Sequence, residues 1–145
     1  MNSNPTFREQ IRRNTVALIS LAIAITSLGY NTWRNEASEH NRNQRLVSIQ
    51  MLIMLGELQQ VVLDRRYGRD SEGKAVLRKG WALVLTLRDI AMVADGDVPE
   101  SAELLFEVWQ RDSSSLGSSD AAKQRIDQAV DAVRHDTHDI LRSLD

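Results

Sequence analysis

The pattern of apolar residues along the chain begins with one uninterrupted run. From residue 15 to 33 the sequence TVALISLAIAITSLGYNTW contains no charged side chain and is mostly apolar or small on every side. A helix of this length spans about 28 Å, which is close to the thickness of the hydrocarbon core of a bilayer. A buried core helix of a soluble protein would instead show a polar stripe. The run therefore predicts a transmembrane helix over 15–33.

The residues at both ends of this run are typical of a membrane interface. Arg12 and Arg13 precede it, and Tyr30, Trp33 and Arg34 lie at its far edge. Amphipathic rings prefer the headgroup region, and arginines there keep their charge in water. We predict that these five residues lie at the membrane interface, and that residues 1–14 form a short basic tail.

A cleaved signal peptide is the alternative interpretation of the run. The arginines before it would form the basic region, and the small residues around Leu28 (Ser27 and Gly29) would form the cleavage site. The length of the run and the aromatic residues at its end favour an anchor. Two arginines directly before the span favour a cytoplasmic N-terminus and a periplasmic domain. Arginines also follow the span, so the opposite orientation, with a cytoplasmic domain, stays open.

The segment SLGYNTWRNE, residues 27–36, carries a resemblance. It resembles a stretch at the membrane exit of small uncharacterised single-span proteins of proteobacteria. The resemblance covers these ten residues and implies a bacterial inner-membrane setting. It implies no activity.

After the run, the pattern becomes polar and then periodic. Residues 34–45 are polar on nearly all sides and predict a stalk. From residue 46 onwards apolar residues recur at spacings of three and four, and turn-forming residues interrupt them near 67–73, 95–100 and 113–119. Four helices joined by short connections favour an antiparallel arrangement. We predict an all-α protein in which 46–145 form a small antiparallel helical bundle.

The individual helices carry more specific predictions. The first should bury one face that includes Leu46, Ile49, Leu52, Ile53, Leu55, Leu58 and Val62. The second, about 74–94, is apolar nearly all round and should be the most buried. Asp97 should cap the third, and Asp120 the fourth. The fourth should pack through a coiled-coil-like series, namely Ile126, Val130, Val133, Thr137, Ile140 and Leu144.

Composition removes several classes of function. The formal net charge is −2, and the basic residues around the first turn are diluted by acidic ones, so nucleic acid is not an expected partner. The chain has no cysteine, which excludes disulfides, thiolate nucleophiles and cysteine metal sites. No catalytic or cofactor motif is present, so we expect no cofactor and no enzyme activity.

Two polar clusters are the remaining candidate sites. His135 and His138 are three residues apart, which places them on neighbouring faces of a helix as possible metal ligands. The apolar series of that helix turns both toward solvent, which favours an ordinary surface. Arg88 and Asp89 interrupt the most apolar helix, where a charge needs a partner such as Glu57. The alternative is a groove that recognises a ligand or partner.

These patterns favour a membrane-anchored interaction module. Its partners would be the lipid bilayer and either a protein partner or a second copy of the chain, and a small-molecule ligand is not expected. The small residues Ser20 and Ala24, four apart in the span, would allow two helices to approach closely. A ligand-sensing four-helix domain and an accessory subunit of an oligomeric membrane complex or channel are the alternatives.

Overall fold

The computed structural model of the chain describes residues 14–68 and 73–144, and the described residues contain helices and no strand. The all-α class is therefore confirmed. The four helices are α1 (Thr15–Tyr67), α2 (Gly73–Ala91), α3 (Val98–Asp112) and α4 (Asp120–Ser143), and a short 3-10 turn, Ser113–Ser115, follows α3. The chain divides into an N-terminal unit, Met1–His40, and a C-terminal unit, Asn41–Asp145. The basic tail, apart from Asn14, lies outside the described residues.

Helix α1 contains three segments that the sequence pattern separated. The apolar run, the polar stretch 34–45 and the first amphipathic segment all lie within its 53 residues. In the N-terminal unit every described residue is exposed. The polar stretch is helical, as expected if the apolar helix continues, but Gln44 near its end is buried. That residue therefore belongs to the core of the C-terminal unit.

The C-terminal unit has one hydrophobic core, to which all four helices contribute. Helix α3 contacts both α2 and α4. Helix α1 enters the core through residues spaced alternately four and three apart, which we call the inner stripe: Gln44, Ser48, Met51, Leu55, Leu58 and Val62. This spacing keeps one side of a helix in contact with its neighbours over five turns.

The predicted buried face of α1 is partly wrong. Leu55, Leu58 and Val62 are buried, but Leu46, Ile49 and Ile53 are 61 %, 46 % and 53 % exposed. The apolar residues of this segment form two separate series, each with spacings of three and four. The two series lie on different sides of the helix. The inner stripe, together with the neighbouring Met54 and Val61, is the part of α1 that is buried in the core of the unit.

Helix α2 is shorter and less buried than its sequence predicts. It ends at Ala91, not Ala94, and Met92 and Val93 beyond it are exposed. The Gln44 side chain accepts a hydrogen bond from the Asp95 backbone N–H at 3.1 Å and donates one to the Val93 carbonyl at 3.0 Å. Gly96 then adopts a φ of 65°. Gln44 therefore holds the connection between α2 and α3, and glycine accommodates the left-handed residue in that connection.

The packing of α2 against α3 depends on a glycine, Gly80, which has no Cβ atom. Gly80 is buried, and a Cβ atom added to it would lie 2.6 Å from Trp109 Cη2, closer still to Cζ2, and 3.1 Å from Val61 Cγ1. The Trp109 indole is fully buried. Its six-membered ring therefore occupies the space that a larger residue at position 80 would fill.

The ends of α3 and α4 agree in part with prediction. Asp97 precedes α3 at the capping position, where its side chain makes no capping hydrogen bond. Ser119, rather than Asp120, caps α4: its hydroxyl accepts a hydrogen bond from the Ala122 N–H at 3.2 Å. The predicted apolar series of α4 is confirmed, because its members from Ile126 to Ile140 are buried and Leu144 is half-buried.

Candidate functional site

The apolar run of the N-terminal unit forms an extended exposed apolar surface. Its aliphatic side chains project into their surroundings on every side of the helix, among them Val16 at 78 %, Ile25 at 63 % and Leu28 at 71 % exposure. A surface of this kind is unfavourable in water and marks contact with lipid or protein. The helix is long and apolar enough to cross a membrane, a test that a signal sequence near the N-terminus also passes.

Two threonine hydroxyls of this run are hydrogen-bonded to the backbone of the helix itself. The Thr26 hydroxyl donates to the Ala22 carbonyl at 2.8 Å, and the Thr32 hydroxyl donates to the Leu28 carbonyl at 3.0 Å. Such bonds to the preceding turn remove the need for water. These two hydroxyls are therefore compatible with an apolar solvent.

The predicted interface residues at the far edge lie near one another. The rings of Tyr30 and Trp33 have their centroids 6.2 Å apart at an angle of 46°, and both rings are exposed. Arg34 follows directly and is also exposed. Arg12 and Arg13, predicted for the opposite edge, lie outside the described residues.

Arg88 and Asp89 do not share a site. The Arg88 guanidinium lies 4.2 Å from the centre of the Phe106 ring, and its Nε is 3.9 Å from Glu103 Oε2. The suggested partner Glu57 instead pairs with Lys79 at 3.3 Å. Asp89 is exposed. Arg88 therefore covers an aromatic side chain of α3, where a cation over a ring face is stabilising.

Among the described residues, no set of metal ligands surrounds the histidine pair. His135 Nε2 lies 3.4 Å from Asp139 Oδ2, and His138 is exposed. Within residues 14–68 and 73–144, no group of three or more His, Asp or Glu side chains could hold a metal ion. A cavity of about 250 Å³ lies beside this part of α4, and its lining includes four aspartates: Asp95, Asp97, Asp136 and Asp139. Their charges disfavour an anionic or apolar ligand.

A buried carboxylate joins the end of α3 to the start of α4. Asp112 accepts hydrogen bonds from Arg125 Nε at 2.8 Å and from Arg125 Nη2 at 2.7 Å, and from Arg111 at 3.1 and 3.2 Å. The Arg125 hydrogen bonds are the main reason why the pKa of Asp112 lies well below its ordinary value of 3.8; burial acts in the opposite direction, and Arg111 adds to the lowering. Sequence reasoning missed this contact because the two residues lie on different helices.

Replacing Asp112 with Asn should lower the stability of the C-terminal unit at neutral pH. Charge-assisted hydrogen bonds of this kind contribute about 1.5–3 kcal/mol, so we expect a loss of about 2 kcal/mol. Asp112 has a lowered pKa in the folded chain, so its contribution is complete above pH 3.8 and decreases as the pH falls below that value. Thermal unfolding of the full-length chain in detergent, followed by circular dichroism at several pH values, measures both effects.

The matched control for that substitution is Asp131→Asn. Asp131 pairs with Arg134 at 2.7 Å, but its side chain is 67 % exposed, so its loss should change the midpoint very little. Equal midpoints for D112N and the unsubstituted chain at pH 7 would contradict the stabilising role of Asp112. A difference in unfolding midpoint between D112N and the unsubstituted chain that grows as the pH falls from 5 to 3 would contradict it as well.

The side of α1 opposite the inner stripe carries a second, mostly apolar series. We call it the outer stripe, and its members are all exposed: Leu46, Ile49, Ile53, Gly56, Gln60, Leu63 and Tyr67. Sequence reasoning missed it as a separate surface. The signal that could have found it is the strict alternation of three and four, which is typical of a helix that pairs with another helix.

Comparison with known proteins identifies no relative of this chain. No family model matches the chain, and neither does any curated protein or solved structure. Function is therefore inferred from the geometry alone.

Proposed function

We propose that the chain is a membrane-anchored interaction module of the bacterial inner membrane. In this proposal residues 15–33 span the bilayer, residues 34–43 form the stalk, and residues 44–145 form an antiparallel helical bundle that docks a protein at the membrane surface. The observation that carries the proposal is the exposed apolar run of the N-terminal unit, from Val16 to Trp33. No catalytic step is part of it.

Three features of the run support a span rather than a buried helix. It is exposed on every side, and its Thr26 and Thr32 hydroxyls are bonded to the helix backbone. Tyr30 and Trp33 lie together at its far edge, as they do where helices leave a bilayer. Placing so much aliphatic surface in lipid removes a cost of about 25 cal/mol for each Å² that would otherwise contact water.

The order of the helices supports the bundle. Helix α3 contacts both α2 and α4, and short connections join each helix to the next. Helices joined in this way pack most readily with alternating direction. The bundle would present its outer surface, including the outer stripe, to a partner.

The orientation in the proposal follows from the arginines. Arg12 and Arg13 lie directly before the span, so the short N-terminal tail would stay in the cytoplasm and the bundle would lie in the periplasm. A reporter enzyme fused after Asp145 tests this point. We expect activity from a reporter that works only in the periplasm, and activity from a cytoplasmic reporter would reverse the assignment.

Fractionation of bacterial cells tests the anchor itself. We expect the full-length chain, tagged after Asp145, to remain in the membrane pellet after extraction with alkaline carbonate. Its intact mass should include residues 1–33. Recovery of the chain in the supernatant would overturn the span, and a shortened mass beginning near residue 30 would show a cleaved signal peptide.

A further inference from the structure

The outer stripe of α1 is a regularly spaced series of residues that stays exposed in the single chain. Its seven members follow one another at intervals of three, four, three, four, three and four residues. They occupy the a and d positions of three consecutive heptads, with Leu46, Ile53, Gln60 and Tyr67 at a. Leu63 is 40 % exposed and Tyr67 is 72 % exposed, and the aliphatic members at 46, 49 and 53 are exposed as well.

Contacts among the described residues border the outer stripe but do not cover it. On one side Glu57 pairs with Lys79 of α2 at 3.3 Å. On the other side Gln59 accepts a hydrogen bond from Arg134 of α4 at 2.8 Å. The stripe therefore runs between two polar borders, on the side of α1 that faces away from the core. An apolar strip with polar borders is the usual form of a coiled-coil surface.

We propose that the outer stripe binds the outer stripe of a second copy of this chain, side by side and in parallel. The parallel direction rests on the proposed function, because two copies inserted in one membrane with the same orientation present α1 in the same direction. A two-fold pair also lets one surface serve both partners, since each a or d residue meets its own counterpart. Tethering to the bilayer raises the effective concentration, so three heptads need little intrinsic affinity.

The charges beside the stripe favour the parallel direction. The e positions hold Gln50, Glu57 and Asp64, which include two acids and no base; the g positions hold Arg45, Leu52, Gln59 and Arg66, which include two bases and no acid. In a parallel pair the e flank of one helix faces the g flank of the other, whereas in an antiparallel pair like flanks meet.

Both flanks also make contacts within their own chain. Glu57 lies beside Lys79, and Arg66 pairs with Asp120 at 2.6 Å. In the parallel pair the acids of the e flank face the arginines of the g flank, which supports a second copy as the occupant.

The centre of the stripe is suited to setting the register of such a pair. Gln60 lies at an a position, and a polar residue there lowers affinity but favours one alignment in which it can bond to its counterpart. Gly56 lies at the preceding d position, with nothing within 4 Å of where its Cβ would be. Both features predict a defined but modest association.

Single cysteines test the pair directly, because the chain contains none of its own. Ile49→Cys, Ile53→Cys and Leu63→Cys report from the stripe. Leu104→Cys is the matched control, since Leu104 is an exposed leucine on α3, and Gln128→Cys is a second control on α4. Each full-length variant is oxidised in native membranes and separated without reductant. We expect disulfide-linked dimers at the three stripe positions, several-fold above both controls.

The pattern along the stripe also reports direction. In a parallel pair every stripe cysteine meets its counterpart, and a disulfide needs the two Cα atoms within about 7 Å. In an antiparallel pair only a cysteine near the crossing point would do so. Dimers at one position alone would therefore overturn the parallel pair. Equal yields at stripe and control positions would overturn the interface, and a product whose mass is not twice the chain would identify a different partner.

A charge on the stripe supplies a second measurement. Ile53→Glu, placed in the Leu63→Cys chain, sets like charges opposite each other and should reduce the dimer yield several-fold. Ile53 is exposed, so the helical circular dichroism spectrum should not change. An unchanged yield would overturn the pairing.

The same membrane samples test the pairing and the anchor separately. Carbonate extraction is performed on each cross-linked sample. Chain in the pellet without stripe dimers overturns the pairing and leaves the anchor. Chain in the supernatant with stripe dimers overturns the anchor and leaves the pairing.

Discussion

Replacing Gly80 with alanine is expected to destabilise the C-terminal unit by about 3 kcal/mol, at the upper end of the range for overpacked cores. The added methyl group would lie 2.6 Å from Trp109 Cη2 and closer to Cζ2. An indole ring cannot bend, and Trp109 is fully buried, so either the ring or α2 must move. Thermal or denaturant unfolding of the full-length chain in detergent, followed by circular dichroism, measures the loss.

The control for that prediction is the same substitution at a second helical glycine. Gly56 is exposed, and nothing lies within 4 Å of its added Cβ. Alanine has the higher helix propensity, so Gly56→Ala should stabilise the chain by about 0.5–1 kcal/mol. Opposite signs for G80A and G56A would identify packing against Trp109 as the cause. A G80A chain as stable as the unsubstituted one would show that the core of α2 and α3 is arranged differently.

Two charges placed in the middle of the apolar run are expected to release the chain from the membrane. Ile23 and Ile25 lie near the centre of 15–33 and are 61 % and 63 % exposed. Each arginine at the centre of a span costs about 2.5–3.5 kcal/mol on insertion scales, in addition to the lost apolar contribution of isoleucine. The two arginines of the I23R/I25R double variant should therefore make insertion less favourable by about 6 kcal/mol. The readout is its partition between pellet and supernatant after carbonate extraction.

The matched control carries the same two charges outside the run. Gln124 and Gln128 are exposed on α4, so Q124R/Q128R changes the net charge equally and should leave the chain in the pellet. Equal partition of the two double variants would show that the run does not determine membrane attachment. The intact mass of each retained chain excludes altered cleavage as the cause.

The sequence predicted best where one helix has a single apolar side. The series of α4 from Ile126 to Ile140 is buried as predicted, since no second series of apolar residues competes with it. Helix α1 has two series, inner and outer, and residue type alone does not say which one meets the core. Leu46 and Leu55 are chemically identical, yet only Leu55 is buried. Tertiary packing decides between them, and local pattern carries no information about it.

Prediction of the candidate sites from the sequence was limited in the same way. The sequence identified Arg88 as a charge that needs a partner, but the contacts of its side chain, with Phe106 and Glu103, depend on the packing of α2 against α3. The Asp112–Arg125 contact likewise joins two helices across a turn. Composition indicated the apolar run directly, because a helix without a polar side needs no tertiary information to be recognised.

The contacts of Gln44 decide where an independent fragment of the C-terminal unit can begin. Its side chain bonds both the Val93 carbonyl and the Asp95 N–H, so the connection that follows α2 is held by a residue about fifty positions earlier. A cut at residue 46, where the apolar periodicity starts, would leave those two backbone groups without their amide. Expression of a stable soluble piece for crystallisation therefore requires a start upstream of Gln44, within the segment that looks from its composition like dispensable linker.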